Sequence, residues 1–369
     1  MQAGDTANII TKGIPAVVDD TDLRIFRWMY PGGVWYWWGT DPRITTTEIG
    51  FGVGLERTAV WARIRRWRAI GFWHGFEVHV NPRIFGVGQV RVEVPVLGPA
   101  QGADVLDALE HVEGTLCAKV GFDISVHGRE GVGLAVVIAA EDATHVRRRV
   151  RLLCGLSSTG KVEGPFREDP PACPHSFSPL DWRILAAVIA NPNASPSRVA
   201  RLVGVTLKTF DHHHSLLIDR HAIYYLPKVD WSKLECVGLS VVCRRAEDLD
   251  RVRGELQARY PASIPINLIG GEGIAPEWDE STCFAALVPA HSPNEVHALV
   301  RDVSRIPGVR FARTSTWGAD RLYQDWVNRQ VAERVAATSA AIPERAPRLG
   351  ARRRISLAAT SPGRPLAVH

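Results

Sequence analysis

One property limits what this chain can fold into: it repeats itself. DPRITTTEIGFGVGLERTAV, starting at Asp41, aligns with NPNASPSRVARLVGVTLKTF, starting at Asn191, at an offset of 191 − 41 = 150. The alignment holds without a gap for about forty residues, so that Pro42 meets Pro192, Ile49 meets Val199, Gly54 meets Gly204 and Val60 meets Phe210. Upstream, DLRIF from Asp22 matches DWRIL from Asp181 at an offset of 159, so the first copy carries about nine extra residues, within PGGVWYWWG at 31–39. A chain of 369 residues with a repeat of this length reads as two related units in tandem.

Each copy opens with three helical patterns. Asp19 or Asp20 is placed to cap a helix through Leu23, Ile25 and Phe26. Thr45 with Glu48 three residues later spells a capping box for a short second helix that stops at the glycines of 52–54. In the second copy Ser195 takes the capping place, and Pro196 the first helical position, where a missing N–H costs nothing. A third helix is expected from about Glu56 to Ile70, with Val60, Ile64 and Trp67 on one buried face. Gly50 sits where two helices must cross closely, and FWHGFEVHV then alternates like a strand, a candidate wing closed by Asn81-Pro82. Helix, glycine turn and a second helix with an arginine-rich outer face follow the logic of a helix-turn-helix.

After each head the pattern changes to β-α-β-β-α-β, the order of a ferredoxin-like sandwich. In the first copy this gives a strand in QVRVEVPV, a helix near 103–110, strands in TLCAKVGF and GVGLAVVIAA, a helix near 143–153 and a short strand near 157–162. In the second it gives GLSVVC, a helix at 246–260, INLI, CFAALVP, a helix at 292–305 and VRFARTST. The expected fold is therefore α+β: a tandem duplication of a winged helix-turn-helix followed by a ferredoxin-like βαββαβ sandwich. Its divisions are an N-terminal arm (1–18), a first head (19–83), a first sandwich (84–163), a proline-rich linker (164–178), a second, degenerate head (179–230), a second sandwich (231–318), a C-terminal helix (319–338) and a basic tail (339–369) expected to be disordered.

Composition excludes several classes. The formal net charge is +5, modest enough that only clustering would give it meaning. Six cysteines occur without a C-x-x-C pair, which removes zinc-ribbon spacing and suggests reduced thiols in a cytoplasmic protein. The N-terminal segment lacks the apolar stretch of a signal peptide, and no run of uncharged apolar residues is long enough to span a bilayer.

The motifs resemble the leucine-responsive regulatory protein and asparagine-operon regulator (Lrp/AsnC) family of transcription factors. The resemblance rests on D-x-x-I-F at Asp22, DPR-x-T-x-x-E-I from Asp41, VGL-x-R-T-x-V-x-x-R-I-R-R-W from Val53, G-F-x-x-G-F-x-V-x-x-N-P from Gly71, and Gly121-Phe122-Asp123. It implies DNA binding by the winged head, sandwiches paired sheet to sheet, and small effectors, often amino acids, between them. Gly121, Phe122 and Asp123 fit the family's effector turn, whereas GIAPEWDES in the second unit departs from it. The tandem chain looks like a family dimer fused into one polypeptide, with a homodimer of chains expected.

The two heads differ in charge. From Glu56 to Arg68 the first carries five arginines and one acid; Thr206 to Ile218 carries Lys208 and Asp211, with His212, His213 and His214. Phosphate contacts carry most non-specific affinity, so the first head is the expected reader of double-stranded DNA. By position, Arg57, Thr58 and Trp61 would reach base edges, Arg63, Arg65 and Arg66 would clamp phosphates, and Thr45 and Thr46 would donate near the second helix. Consecutive histidines on a helix point about 100° apart and do not converge on one ion, so no metal site is assigned; no catalytic residue or cofactor is assigned either. The aromatic insert reads as a packing loop before a stacking platform. The siroheme decarboxylases share this two-domain plan and provide the alternative, an enzyme. It would need His111, His127, His145 and Arg129 gathered in a cleft.

Overall fold

The computed structural model describes residues 18–29, 44–122, 132–168, 170–174, 176–230, 233, 236–266, 283–290 and 292–340. The first unit runs α1 (Asp20–Met29), α2 (Thr46–Val53), α3 (Arg57–Ala69), β1 (Trp73–Val80), β2 (Gly88–Val96), α4 (Pro99–Leu109), β3 (Thr115–Phe122), β4 (Val132–Ala140), α5 (Ala143–Leu156) and β5 (Glu163–Glu168). The second runs α6 (Pro179–Ala190), α7 (Pro196–Val203), α8 (Leu207–Asp219), β6 (Ile223–Val229), β7 (Cys236–Cys243), α9 (Leu249–Arg259), β8 (Ile264–Ile266), β9 (Cys283–Pro289), α10 (Pro293–Ser304), β10 (Val309–Leu322) and α11 (Asp325–Ala340). The aromatic insert, Asp123 and nearly all of the two terminal segments lie outside the described residues.

The repeat is visible bond by bond in the heads. Asp19 and Asp22 cap α1 reciprocally, each backbone N–H donating to the other's carboxylate at 3.1 and 2.9 Å. Thr45 and Glu48 form the expected capping box at α2. Ser195 occupies the N-cap of α7 without a side-chain capping bond; its hydroxyl lies 3.2 Å from that of Ser197. Gly54 (φ 73) and Gly204 (φ 76) end the second helix of each head in the left-handed region that glycine adopts freely. A side chain at Gly50 would stand 2.5 Å from the Leu55 carbonyl oxygen, so the first head closes this turn on glycine, where the second head has Ala200. Arg24 donates to the Val53 carbonyl, and Arg183, at the matching position, donates to that of Val203.

The sandwiches have the ferredoxin-like strand order, and they fuse. One eight-stranded sheet runs β5-β2-β4-β3-β10-β7-β9-β8. Its centre is β10, which pairs with β7 over Val309–Ser315 and with β3 over Thr316–Leu322. The two units therefore join edge to edge within the chain, where the family resemblance implied sheet-to-sheet pairing. This moves one expected boundary. ADRL at 319–322 is expected in the C-terminal helix, but the unpaired edge of β3 needs a partner and draws these residues into the strand. The helix starts only at Asp325. The last strand of the first sandwich also shifts, from 157–162 to Glu163–Glu168, running from the end of that sandwich into the expected linker; STG at 158–160 forms the turn before it.

The strand offered as a wing has a different partner from the one expected. Among the described residues β1 belongs to no wing hairpin: it pairs antiparallel with β6, its counterpart in the second unit, from Trp73 opposite Val229 to Val80 opposite Ile223. The ribbon crosses the molecule. Trp73 and Val229 join a core containing the first head together with Ala285 and Leu287 of the second sandwich. Val78, Val80, Ile223 and Tyr225 join a core containing the second head, α11, and Leu116, Cys117, Val137 and Ala139 of the first sandwich. Each head thus covers the open sheet face of the other unit. The opposite faces pack on α4 and α5 in one sandwich and on α9 and α10 in the other. All six cysteines are free thiols.

Asn81, wholly buried, pins this crossing. Its amide donates to the Pro171 and His221 carbonyls at 2.9 and 2.8 Å, and its oxygen accepts from the Arg83 N–H at 2.9 Å. Asn81→Ala strands those groups and is expected to lower stability by about 2–4 kcal/mol in urea denaturation. A loss below about 1 kcal/mol would mean that the crossing does not depend on it.

Candidate nucleic-acid interface

α3 divides its residues by face. Val60, Ile64 and Trp67 are buried as expected, with Trp67 set edge-on to Phe26, Phe72 and Trp73. Arg57, Thr58, Trp61 and Arg65 lie exposed along the opposite side, spaced by three and four residues. Trp61 keeps 45% of its surface accessible. No ion pair engages Arg57 or Arg65 among the described residues. Arg68, at the end of the helix, lies over the Trp73 ring at 5.2 Å.

The structure separates Arg63 and Arg66 from this group. Arg63 binds Asp19 at 2.7 Å and Asp22 at 2.9 Å, and Arg66 binds the other oxygen of Asp22, whose side chain is fully buried. Both had been expected to clamp phosphates; both instead tie α3 to the start of α1. A buried carboxylate needs paired donors, and these two guanidinium groups provide them. Thr45 is exposed and Thr46 half-buried at the start of α2. The Thr45 hydroxyl already accepts from the Glu48 N–H at 3.2 Å. Sequence reasoning missed Phe51, 91% exposed on α2. Its only signal was a phenylalanine off the Ile49–Val53 stripe, between two glycines.

The second head keeps the frame and changes the chemistry. His213, at the position of Arg63, bonds Asp181, at the position of Asp22, with 2.7 Å between Nδ1 and Oδ1. Burial works to raise the Asp181 carboxyl, but hydrogen bonds from Ser178 and His213 outweigh it and hold it below the ordinary carboxylate range. His214 Nε2 lies 2.7 Å from the Tyr225 hydroxyl. These partners occupy two of the three consecutive histidines. On the outer face of α8, Leu207, Lys208, Asp211 and Ser215 stand where the first head has Arg57, Thr58, Trp61 and Arg65.

Gly121 and Phe122, two of the residues expected to hold an effector, fall at the seam between sandwiches. Gly121 lies in register between Gly133 of β4 and Trp317 of β10, and Phe122 between Val132 and Thr316. The residues considered for an enzyme are not gathered. His111 lines a 680 Å³ cleft with Arg321 and Arg329, but those arginines bind Asp107 at 2.7 Å and Glu113 at 3.0 Å. His145 bonds Asp142 at the start of α5. His127 and Arg129 lie outside the described residues.

No family model matches the chain. The HTH-type transcriptional regulator LrpA of Mycobacterium tuberculosis is 33% identical over 124 residues, which are 33% of this chain and 79% of that protein. The chain belongs to the Lrp/AsnC family. Among solved structures, siroheme decarboxylase NirDL aligns over 87% of this chain and 100% of its own at 12% identity and a TM-score of 0.45. Escherichia coli AsnC aligns over 39% of this chain and 93% of its own at 14% identity and a TM-score of 0.28. No helix among the described residues is long and apolar enough to cross a membrane.

The tie between α1 and α3 carries a pH signature. Burial opposes ionisation of Asp19, but Arg63 and the Asp22 backbone hold its carboxyl below the ordinary value. A depressed carboxylate adds stability that is present above its unfolded value of about 3.9 and is lost as pH falls through the lower folded value. Arg63→Gln is therefore expected to destabilise the first head at pH 7, with the difference from wild type shrinking below about pH 4. Thermal melts across that range test it; a difference independent of pH would remove the ionic basis of the tie.

Proposed function

We propose that the chain is a transcriptional regulator whose first head reads double-stranded DNA, while the second head acts as scaffold or weak auxiliary contact. The observation that carries this reading is the exposed stripe Arg57, Thr58, Trp61 and Arg65, whose two arginines make no ion pair among the described residues. Arg57, Thr58 and Trp61 occupy the first turns of α3, the part of a recognition helix that reaches base edges. Arg65, with Thr45 and Thr46, is suited to phosphate oxygens. Arg63 and Arg66 act through the fold by holding α3 on α1.

Occupancy would be tuned by a small effector at the seam of the sandwiches, near Gly121, Phe122 and Asp123. Support comes from the register there. Gly133 and Gly121 face one another across β4 and β3, one row from buried Glu93 and Lys119, which both align with Ala135. Paired small residues beside buried charged side chains suit a polar small molecule. With one reading head per chain, two chains would be needed to read a palindrome, so a homodimer in the cytoplasm is the expected working form.

Anisotropy titrations against the duplex upstream of its own gene, at two salt concentrations, test the assignment. Arg57→Ala/Arg65→Ala is expected to lose tight binding, and removal of the Arg65 phosphate contact to reduce the salt slope by about 0.9. Lys208→Ala is expected to change little. Wild-type affinity no better than for random duplex would overturn the regulator reading. A Soret-absorbing complex with siroheme would then favour the enzyme.

A further inference from the structure

We infer that the junction between the two heads holds a second ligand site, one built for a small aromatic zwitterion. A cavity of 420 Å³ lies between the end of α3 and β1 on one side and the α6–α7 turn and α8 on the other. That volume is within the range of small-molecule sites. Residues of both units line it, so an occupant would touch both heads at once.

The lining is aromatic and ordered. Phe76, Tyr225, His214 and Phe210 form a connected line of rings across the junction, with successive centroids 6.3, 5.7 and 5.0 Å apart. The line continues from Phe76 through Trp73 to Trp67 in the core of the first head, at 5.4 and 6.0 Å. A planar ring placed in the cavity would extend an existing edge-and-face arrangement, which aromatic pairs favour beyond area burial.

Two opposite charges at the cavity come from different units. Arg68 of α3 is exposed, and among the described residues its one recorded partner is the Trp73 ring. Asp211 of α8 is exposed and makes no ion pair among the described residues. Guanidinium matches a carboxylate in a fork geometry, and a carboxylate accepts from an ammonium. A ligand carrying both groups on an aromatic body would satisfy Arg68, Asp211 and the rings together. The rim is already fixed: Asn193 bonds both the N–H and the carbonyl of Phe76, at 2.7 and 3.1 Å.

Such a ligand would clamp the last turn of α3 to the second head, and so set the orientation of the stripe formed by Arg57, Trp61 and Arg65. The site is separate from the sandwich seam, and its occupancy is measurable without DNA.

Isothermal titration of the full chain with L-phenylalanine, 3-phenylpropionate and 2-phenylethylamine tests the proposal. L-Phenylalanine is expected to bind at one site per chain and more tightly than either singly charged analogue. Arg68→Gln and Asp211→Asn, both surface changes, should each weaken it by roughly tenfold or more. Arg68→Gln should leave 2-phenylethylamine binding unchanged, and Asp211→Asn should leave that of 3-phenylpropionate unchanged. Absence of binding at millimolar ligand, or L-phenylalanine binding that neither substitution affects, would overturn it.

Discussion

The antiparallel pairing of β1 with β6 is the interaction on which the rest of this molecule depends. A two-stranded ribbon is marginal in water by itself. Here it survives because each end is buried in a different core: Trp73 and Val229 in one, Val78, Val80 and Tyr225 in the other. The crossing carries each head onto the sheet of the opposite unit. It thereby covers two apolar sheet faces that a single unit would leave in water. The seam of β10 with β3 completes the join by removing an open strand edge from each sandwich.

Fusion into one chain lets the two heads diverge while the frame is retained. The frame consists of the left-handed glycine after the second helix, an arginine bonded to the carbonyl before it, and a carboxylate of the first helix tied to a base on the third. Both heads have all three. What differs lies outside it: a cationic stripe on α3, and Leu207, Asp211 and Ser215 at the corresponding places on α8. On the proposed reading the second head does not read DNA but must still fold, because it covers the first sandwich. This accounts for an intact tie at Asp181–His213 beneath an outer face without the arginines of α3.

Much of this was legible in the sequence, for physical reasons. Caps, glycine turns and the Val60–Ile64–Trp67 stripe are local, and local rules place them correctly. The ferredoxin-like order was legible because strand and helix periods differ. What could not be read were choices made over long distances. FWHGFEVHV alternates as any strand does, and nothing local says that its partner lies about 150 residues away. ADRL at 319–322 suits a helix until the edge of β3 is considered. Arg63 and Arg66 look like phosphate clamps in a row of arginines; only the packing of α1 beside α3 brings Asp19 and Asp22 to them. Arg57, Thr58 and Trp61 were legible from their place near the start of α3 and Arg65 because it falls off the buried stripe; all four are exposed.

Hydrogen–deuterium exchange of the full chain, with and without duplex from its own upstream region, addresses the central claim most directly. The account predicts new protection confined to α2 and α3, residues 46–69, with α7 and α8, residues 196–219, unchanged. Equal protection of α8, or protection of α8 in place of α3, would contradict a single reading head.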